Sequence, residues 1–227
     1  MSGFAPISID VVSDVVCPWC YVGQKRLEAA LENTPEVEVD LRCRPYQLDP
    51  SIPPGGVDRK QYMLAKFGSE ERLKDLHAQI SEAGRSAGIA FAFDKITVSP
   101  NTLDAHRLLR WAGPAGDGIQ NALNKRLFQL YFEQGRDIGA RAVLVEAARE
   151  VGMDASVVEA LLPTEADVEA VTGEIETAQR MGIRGVPCYL LEGKYAVMGA
   201  QDATVLADAV RQVSSAKDRG ELDPAEG

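Results

Sequence analysis

Residues 14–31 read DVVCPWCYVGQKRLEAAL and set two cysteines, Cys17 and Cys20, between an apolar run and a helical pattern. That junction restricts the fold more than any other part of the chain. Upstream, Ile7, Ile9 and Val11 alternate with polar neighbours, which is the period of a strand. From Pro18 to about Leu31, the residues Val22, Leu27, Ala30 and Leu31 recur at helical spacing. Val37, Val39, Leu41 and Cys43 then alternate with Glu38, Asp40 and Arg42, a second strand. Strand, helix and strand in such short order require a crossover and therefore a parallel pair.

The pattern changes after Asp49. DPSIPPGGVD is a turn-rich loop, and the chain beyond it is helical over a long stretch. Ser69 opens a helix with Leu73, Leu76, Ile80, Ala83 and Ala87 on one stripe, ending near Gly88. Further helices are expected over Leu103 to Ala112, around Ile119, Leu123, Leu127 and Leu130, and over Val143 to Val151. Thr164 with Asp167 reads as a capping box ahead of Val168, Val171, Ile175 and Ala178. VPCYLLEGKYAVMG reads as a hairpin turning at Glu192-Gly193, and Asp202 as the cap of a last helix.

The order is thus βαβ, a helical block, then α-β-β-α. This is an α/β thioredoxin fold with a large α-helical insertion. Residues 1–48 and 182–215 are expected to form the thioredoxin-fold domain and residues 49–162 the helical insertion. A helix over 163–181 stands at the junction, and 216–227 form a flexible tail.

Several function classes drop out on composition. A formal charge of -10 argues against nucleic acid, whose binding needs clustered Lys and Arg. No window approaches the roughly 18 apolar residues of a membrane span, and the first residues show no signal-like pattern. A cytoplasmic protein is expected. In that reducing setting four cysteines suggest catalysis rather than a disulfide framework.

Pro18 suits the first position of a helix, where its missing N–H costs nothing. Cys17 then lies at the N-cap, and the free N–H groups and partial positive charge of the helix start favour its thiolate. Cys20, one turn in, is the resolving thiol. A structural zinc site would need four ligands in paired motifs, whereas Cys43 and Cys188 are isolated and the chain has two histidines. No metal is expected. A pair of inert buried thiols is the remaining alternative.

DVVCPWCYVG, the SPNTLDAHRL stretch (99–108) and GIRGVPCYLLEGKYAVMGAQ (182–201) together resemble DsbA-like thiol–disulfide oxidoreductases. Within them the chain is most similar to the FrnE-type branch, grouped with 2-hydroxychromene-2-carboxylate isomerases and kappa-class glutathione transferases. The resemblance implies that Cys17 attacks and Cys20 resolves. It implies a cis Val186-Pro187 peptide facing the pair, and pairing of the Val186 backbone with an extended substrate. Pro18, Trp19, Val186, Cys188 and His106 are the expected substrate contacts. Asn101 reads as a helix cap, and Arg107 and Arg110 as solvated.

Two positions give sharper expectations. Trp19 brings no positive charge to Cys17, so the pair should be less oxidising than that of DsbA itself, whose dipeptide is Pro-His. Cys188 follows Pro187 and is either a small buried hydrophobe or a third thiol that exchanges with Cys17. Cys43 is expected to face inward and stay inert. The implied activity is disulfide oxidation, reduction or isomerisation on protein or peptide thiols, with no cofactor and with glutathione as a candidate redox partner. A homodimer is compatible with the resemblance. The alternative is a glutathione-dependent isomerase or transferase, for which the second thiol has no use.

Overall fold

In a computed structural model describing residues 4–222, β1 (Ile7–Ser13) is one of two inner strands of the main sheet. It pairs in parallel with β2 (Val39–Pro45), Ile9 opposite Leu41, and the crossover between them is α1 (Pro18–Glu32). On its other side β1 runs antiparallel to β5 (Cys188–Leu191), which pairs with β6 (Tyr195–Met198). The strand order is β2-β1-β5-β6. Glu192 and Gly193 both adopt positive φ in the β5–β6 turn, as a tight hairpin requires.

Strand parity sorts the core. Ile7, Ile9, Val11, Tyr189 and Leu191 face α1 and α9 (Ala203–Asp218), burying Leu27, Ala30, Leu206 and Val210 between them. Val12 and Cys188, which pair across β1 and β5, face the other way onto Ala178 and Ile183.

Between β2 and the second half of the sheet lies the helical block. It holds α2 (Arg59–Phe67), α3 (Glu70–Ser86), α4 (Leu103–Ala112), α5 (Ile119–Phe128), α6 (Arg141–Glu150) and α7 (Ala155–Leu161), and α8 (Val168–Arg180) leads back to β5. Side chains of Asp58, Ser69 and Asp154 accept from the first turns of α2, α3 and α7. A short ribbon of β3 (Val57–Asp58) and β4 (Val98–Ser99) clips the start of α2 to the start of α4. The core here is aromatic. Tyr21 of α1 stacks on Phe128 at 5.1 Å between ring centres, and Phe91, Phe93 and Phe132 close the cluster.

Four expectations need correction. Thr164 and Asp167 do not form a capping box. Thr164 Oγ1 accepts from Ala166 N and donates to the Leu161 carbonyl, while Asp167 binds Trp111 and Arg110. Asp202 stands at the N-cap of α9 but makes no side-chain cap; its carboxylate is 3.1 Å from Arg26. Arg107 is buried, 1% exposed, rather than solvated. Finally, α9 continues through Asp218 into the expected tail, because Lys217 binds the Pro6 carbonyl and the Glu192 carboxylate. Residues 219–222 follow as turn and coil, and residues 223–227 and 1–3 lie outside the described residues.

Candidate redox site

The end of β1 runs into α1 through Asp14–Cys17, and this bend builds the site. Cys17 is the N-cap with extended backbone (φ -91, ψ 113), and Pro18 fills the first helical position. The Cys17 N–H donates to the Asp14 carbonyl at 2.9 Å, while its own carbonyl accepts from Cys20 and Tyr21. No side chain caps this helix start, and Cys17 itself stands at the end where free N–H groups are found. Both cysteines are free thiols, 5% and 2% exposed.

Opposite Cys17 comes the loop before β5. The Val186–Pro187 peptide is cis, and the Cys17 thiol donates to the Val186 carbonyl at 3.7 Å. Trp19 is 37% exposed and stands at the rim beside Leu48. Cys17, Pro18, Trp19 and Val186 therefore meet around one opening.

Cys20 lies deeper. Burial first, then its hydrogen bond with Cys17 and the charge of that neighbour, push its pKa well above the ordinary thiol value. Cys188 and His106 are placed elsewhere. Cys188 points to the far face of the sheet with Val12, Tyr46, Ala178 and Ile183, whereas Cys17 and Cys20 belong to the cluster under the helical block. Burial raises the Cys188 pKa, and it pushes that of Cys43 up to about 12. Cys43 N donates to the Gln120 side chain at 2.8 Å, away from the opening.

His106 is buried on α4 and its Nε2 lies 3.4 Å from Asp14 Oδ1. Asp14 is the residue that sequence reasoning missed. It is 1% exposed, accepts from Leu48 N at 2.8 Å through Oδ2, and lines the same opening as Cys17. The signal was present: an acid inside the apolar run VVSDVVC, where a lone charge must find partners. Its charge adds to burial and to Cys17 in raising the Cys20 pKa, against a backbone hydrogen bond with Asp14 that lowers it and that Asn would keep. Asp14→Asn, in a Cys17→Ser background, is thus expected to move Cys20 ionisation to lower pH, read from ultraviolet thiolate absorbance. An unmoved titration would show that Asp14 does not act on Cys20.

Gly23 fixes how closely α1 approaches the Pro187 loop. A Cβ there would meet the Tyr189 hydroxyl at 2.3 Å and Pro187 Cγ at 2.9 Å. The Tyr189 hydroxyl is buried without a partner at this contact. Gly23→Ala is expected to cost about 1–3 kcal/mol by overpacking and to slow exchange at Cys17 by moving the loop. Thermal melts and thiol-exchange rates check the two effects, and unchanged values for both would show the contact to be slack.

No helix of the described residues is long and apolar enough to cross a membrane, and they contain no cluster of metal-ligating side chains.

The profile of the DSBA-like thioredoxin domain matches residues 8–211 of this chain. A probable DsbA oxidoreductase from Streptomyces coelicolor is 30% identical, with 97% of this chain and 93% of that one covered and a TM-score of 0.82. A 2-hydroxychromene-2-carboxylate isomerase shares the fold at 16% identity and a TM-score of 0.68, over 95% of this chain and all 100% of that one. The cytosolic disulfide reductase DsbM from Pseudomonas aeruginosa, solved with GSH, does so at 21% identity and a TM-score of 0.60, over 95% and 100% of the two chains.

Proposed function

Since this chain belongs to the family of DSBA-like thioredoxin domains, whose members are thiol oxidoreductases, we propose that Cys17 and Cys20 form its redox pair and exchange disulfides with protein or peptide substrates. The observation that carries this reading is the Cys17 thiol at an uncapped helix start, facing the Val186 carbonyl across the Pro187 loop.

The Cys17 thiolate attacks one sulfur of a substrate disulfide. A bond forms between Cys17 and that sulfur, and the other substrate sulfur leaves as a thiolate. Cys20, after giving up its proton, attacks the Cys17 sulfur and expels the second substrate thiolate. The substrate gains two electrons, and the protein holds a Cys17–Cys20 disulfide. The reverse sequence oxidises a substrate dithiol. Pro18, Trp19 and the Val186 backbone form the substrate rim. No metal or organic cofactor is needed, and a dithiol protein or glutathione returns the pair to its starting state. A cytoplasmic location accords with the cytosolic relative from Pseudomonas.

A titration against mixtures of reduced and oxidised glutathione tests the reading. A reversible two-electron couple is expected, its potential nearer the glutathione pool than a strong oxidant, because Trp19 supplies no charge to Cys17. A protein without a reversible couple at Cys17 and Cys20 would overturn the proposal.

A second reading is a glutathione-dependent isomerase or transferase of the kappa type. The cavity beside Cys17, large enough for a small molecule, supports it, as does the shared fold with the chromene carboxylate isomerase. Cys20 weighs against it, since holding a glutathione thiolate takes one group at position 17 and leaves the second thiol idle.

A further inference from the structure

The opening at Cys17 continues inward as a cavity of about 360 Å³, between the cysteine loop and the α2–α3 pair. That is within the range of small-ligand sites. Ile52, Met63, Phe67, Leu76, Ile80 and Phe93 supply apolar wall. An extended peptide backbone at Val186 would not fill it.

Arg59, the first residue of α2, turns into this cavity and is only 8% exposed. Its side-chain hydrogen bond goes to a neutral group: Nη1 donates to the Tyr131 hydroxyl at 2.8 Å, with the guanidinium 5.6 Å from the centre of that ring. Among the described residues it has no carboxylate within salt-bridge distance. The two acids that line the same cavity are engaged elsewhere. Asp14 holds Leu48 N and lies against His106, and Asp49 holds Ser51 and the Tyr62 hydroxyl. A buried guanidinium left without a counter-ion is costly. Two more polar groups at this cavity lack partners. Ser99 Oγ is buried against the Tyr131 hydroxyl, which is already engaged with Arg59 and the Val98 carbonyl, and makes no well-formed hydrogen bond; Ser99 is 3% exposed. His77 Nε2 is likewise buried and unpaired, its ring stacked on Phe93 at 4.2 Å. Burial, then the charge of Arg59, lower the His77 pKa, which leaves Arg59 as the buried cation of the cavity; Lys66, which also lines it, is exposed and donates to the Tyr62 hydroxyl.

We propose that this cavity is a small-molecule site that takes an organic carboxylate with an apolar body, the carboxylate held by Arg59 with Ser99 and His77, and the body packed between α2 and α3 toward Cys17. A planar guanidinium suits a carboxylate better than a point charge would. Alcohols of the same shape keep the apolar contacts and leave Arg59 unpaired. The site rests on its own geometry and would stand whether or not the cysteines turn over. An occupant would share the mouth with Cys17 and Val186, and so would compete with a macromolecular disulfide.

Calorimetric titration of the reduced full chain with 4-phenylbutyrate and with 4-phenylbutanol tests this, since neither probe carries sulfur. The acid is expected to bind at least tenfold more tightly than the alcohol. Arg59→Gln should erase that gap while leaving the alcohol bound, and Met63→Trp, which fills the cavity, should abolish both. Saturating acid should also slow exchange at Cys17 with a protein disulfide in the unmodified chain. Equal affinities for acid and alcohol, a gap that survives Arg59→Gln, unaffected binding in Met63→Trp, or no binding of the acid would each overturn the proposal. If Arg59→Gln fails to fold, the acid–alcohol comparison and Met63→Trp decide the matter. Absence of a redox couple with the acid still bound would sink only the reading of the cysteines.

Discussion

Cys17→Ser is expected to reduce disulfide exchange to the level of an uncatalysed thiol, whereas Cys20→Ser should leave the first step intact and stall the second. The difference comes from where the two sulfurs lie. Cys17 is at the opening, under the Val186 carbonyl and at the start of α1. Cys20 is one turn deeper, 2% exposed, and beyond the reach of a bulky substrate. Burial keeps the Cys20 thiol protonated, and the hydrogen bond and charge of Cys17 add to that. Both of the Cys17 contributions vanish once Cys17 is tied up in a mixed disulfide. Cys20 then ionises more readily at the moment when its attack is required. In Cys20→Ser no such attack occurs, and a covalent Cys17–substrate adduct should accumulate, visible by mass spectrometry and released by dithiothreitol. Both substitutions are close to isosteric, so thermal melts should move little and the loss is chemical. An active Cys17→Ser protein, or a Cys20→Ser protein that never retains substrate, would count against the assignment. Detection of a Cys17–Cys188 bond in the Cys20→Ser protein would place the third thiol in the cycle, although Cys188 faces the other side of the sheet.

Arg107→Met should produce the largest loss of stability. From inside α4, the Arg107 guanidinium donates to the carbonyls of Leu161, Leu162, Thr164 and Ala166, and to Asp104 Oδ1. It also stacks on Trp111, 5.0 Å from the ring centre. Leu161 closes α7 and its carbonyl is also held by Thr164, whereas Leu162, Thr164 and Ala166 lie in the connection to α8, which has no strand or helix of its own to satisfy them. Methionine preserves the aliphatic stem and takes the donor away from this partly buried set of acceptors. Removing one partner of such a charged network costs about 3–5 kcal/mol. For a chain of this size each kcal/mol lowers Tm by about 2–4 °C, so a fall of about 6–20 °C is expected in a thermal scan. Arg110→Ala is the matched control. Arg110 lies on the same helix but is half-exposed, and its pairs with Asp167 and Glu174 are of the kind that contribute about 0–1 kcal/mol. A small drop at Arg107 would mean that the α7–α8 connection holds itself.

The contrast between these two arginines shows what the amino-acid pattern conveys and what it does not. Period-2 runs around Ile9, Leu41 and Tyr189 were enough to place β1, β2 and the last hairpin, because alternation is local. The CPWC turn was legible for the same reason, since strand end, Pro18 and helix start are contiguous. Arg107 was not, because an arginine beside Leu108 and Leu109 reads as the polar face of a helix until a distant loop supplies acceptors. The β3–β4 ribbon escaped notice because two residues show no period, and Val57 meets Ser99 only in the folded chain. The Arg59 cavity draws its wall from the cysteine loop, α2, α3, the start of α4 and the π-helical stretch Gln129–Glu133 that carries Tyr131, segments whose convergence no single window reports.

Cys17 and Cys20 belong to the apolar cluster shared with α4, α5 and α6, not to the one beneath the sheet. The two halves of the fold therefore meet at the redox pair. The sheet side supplies Asp14, the Val186 carbonyl and the turn where strand becomes helix, and the helical block supplies the apolar packing under both sulfurs. Substitutions in the helical block that loosen this packing should therefore alter thiol exchange as well as stability, since the same side chains bury the sulfurs.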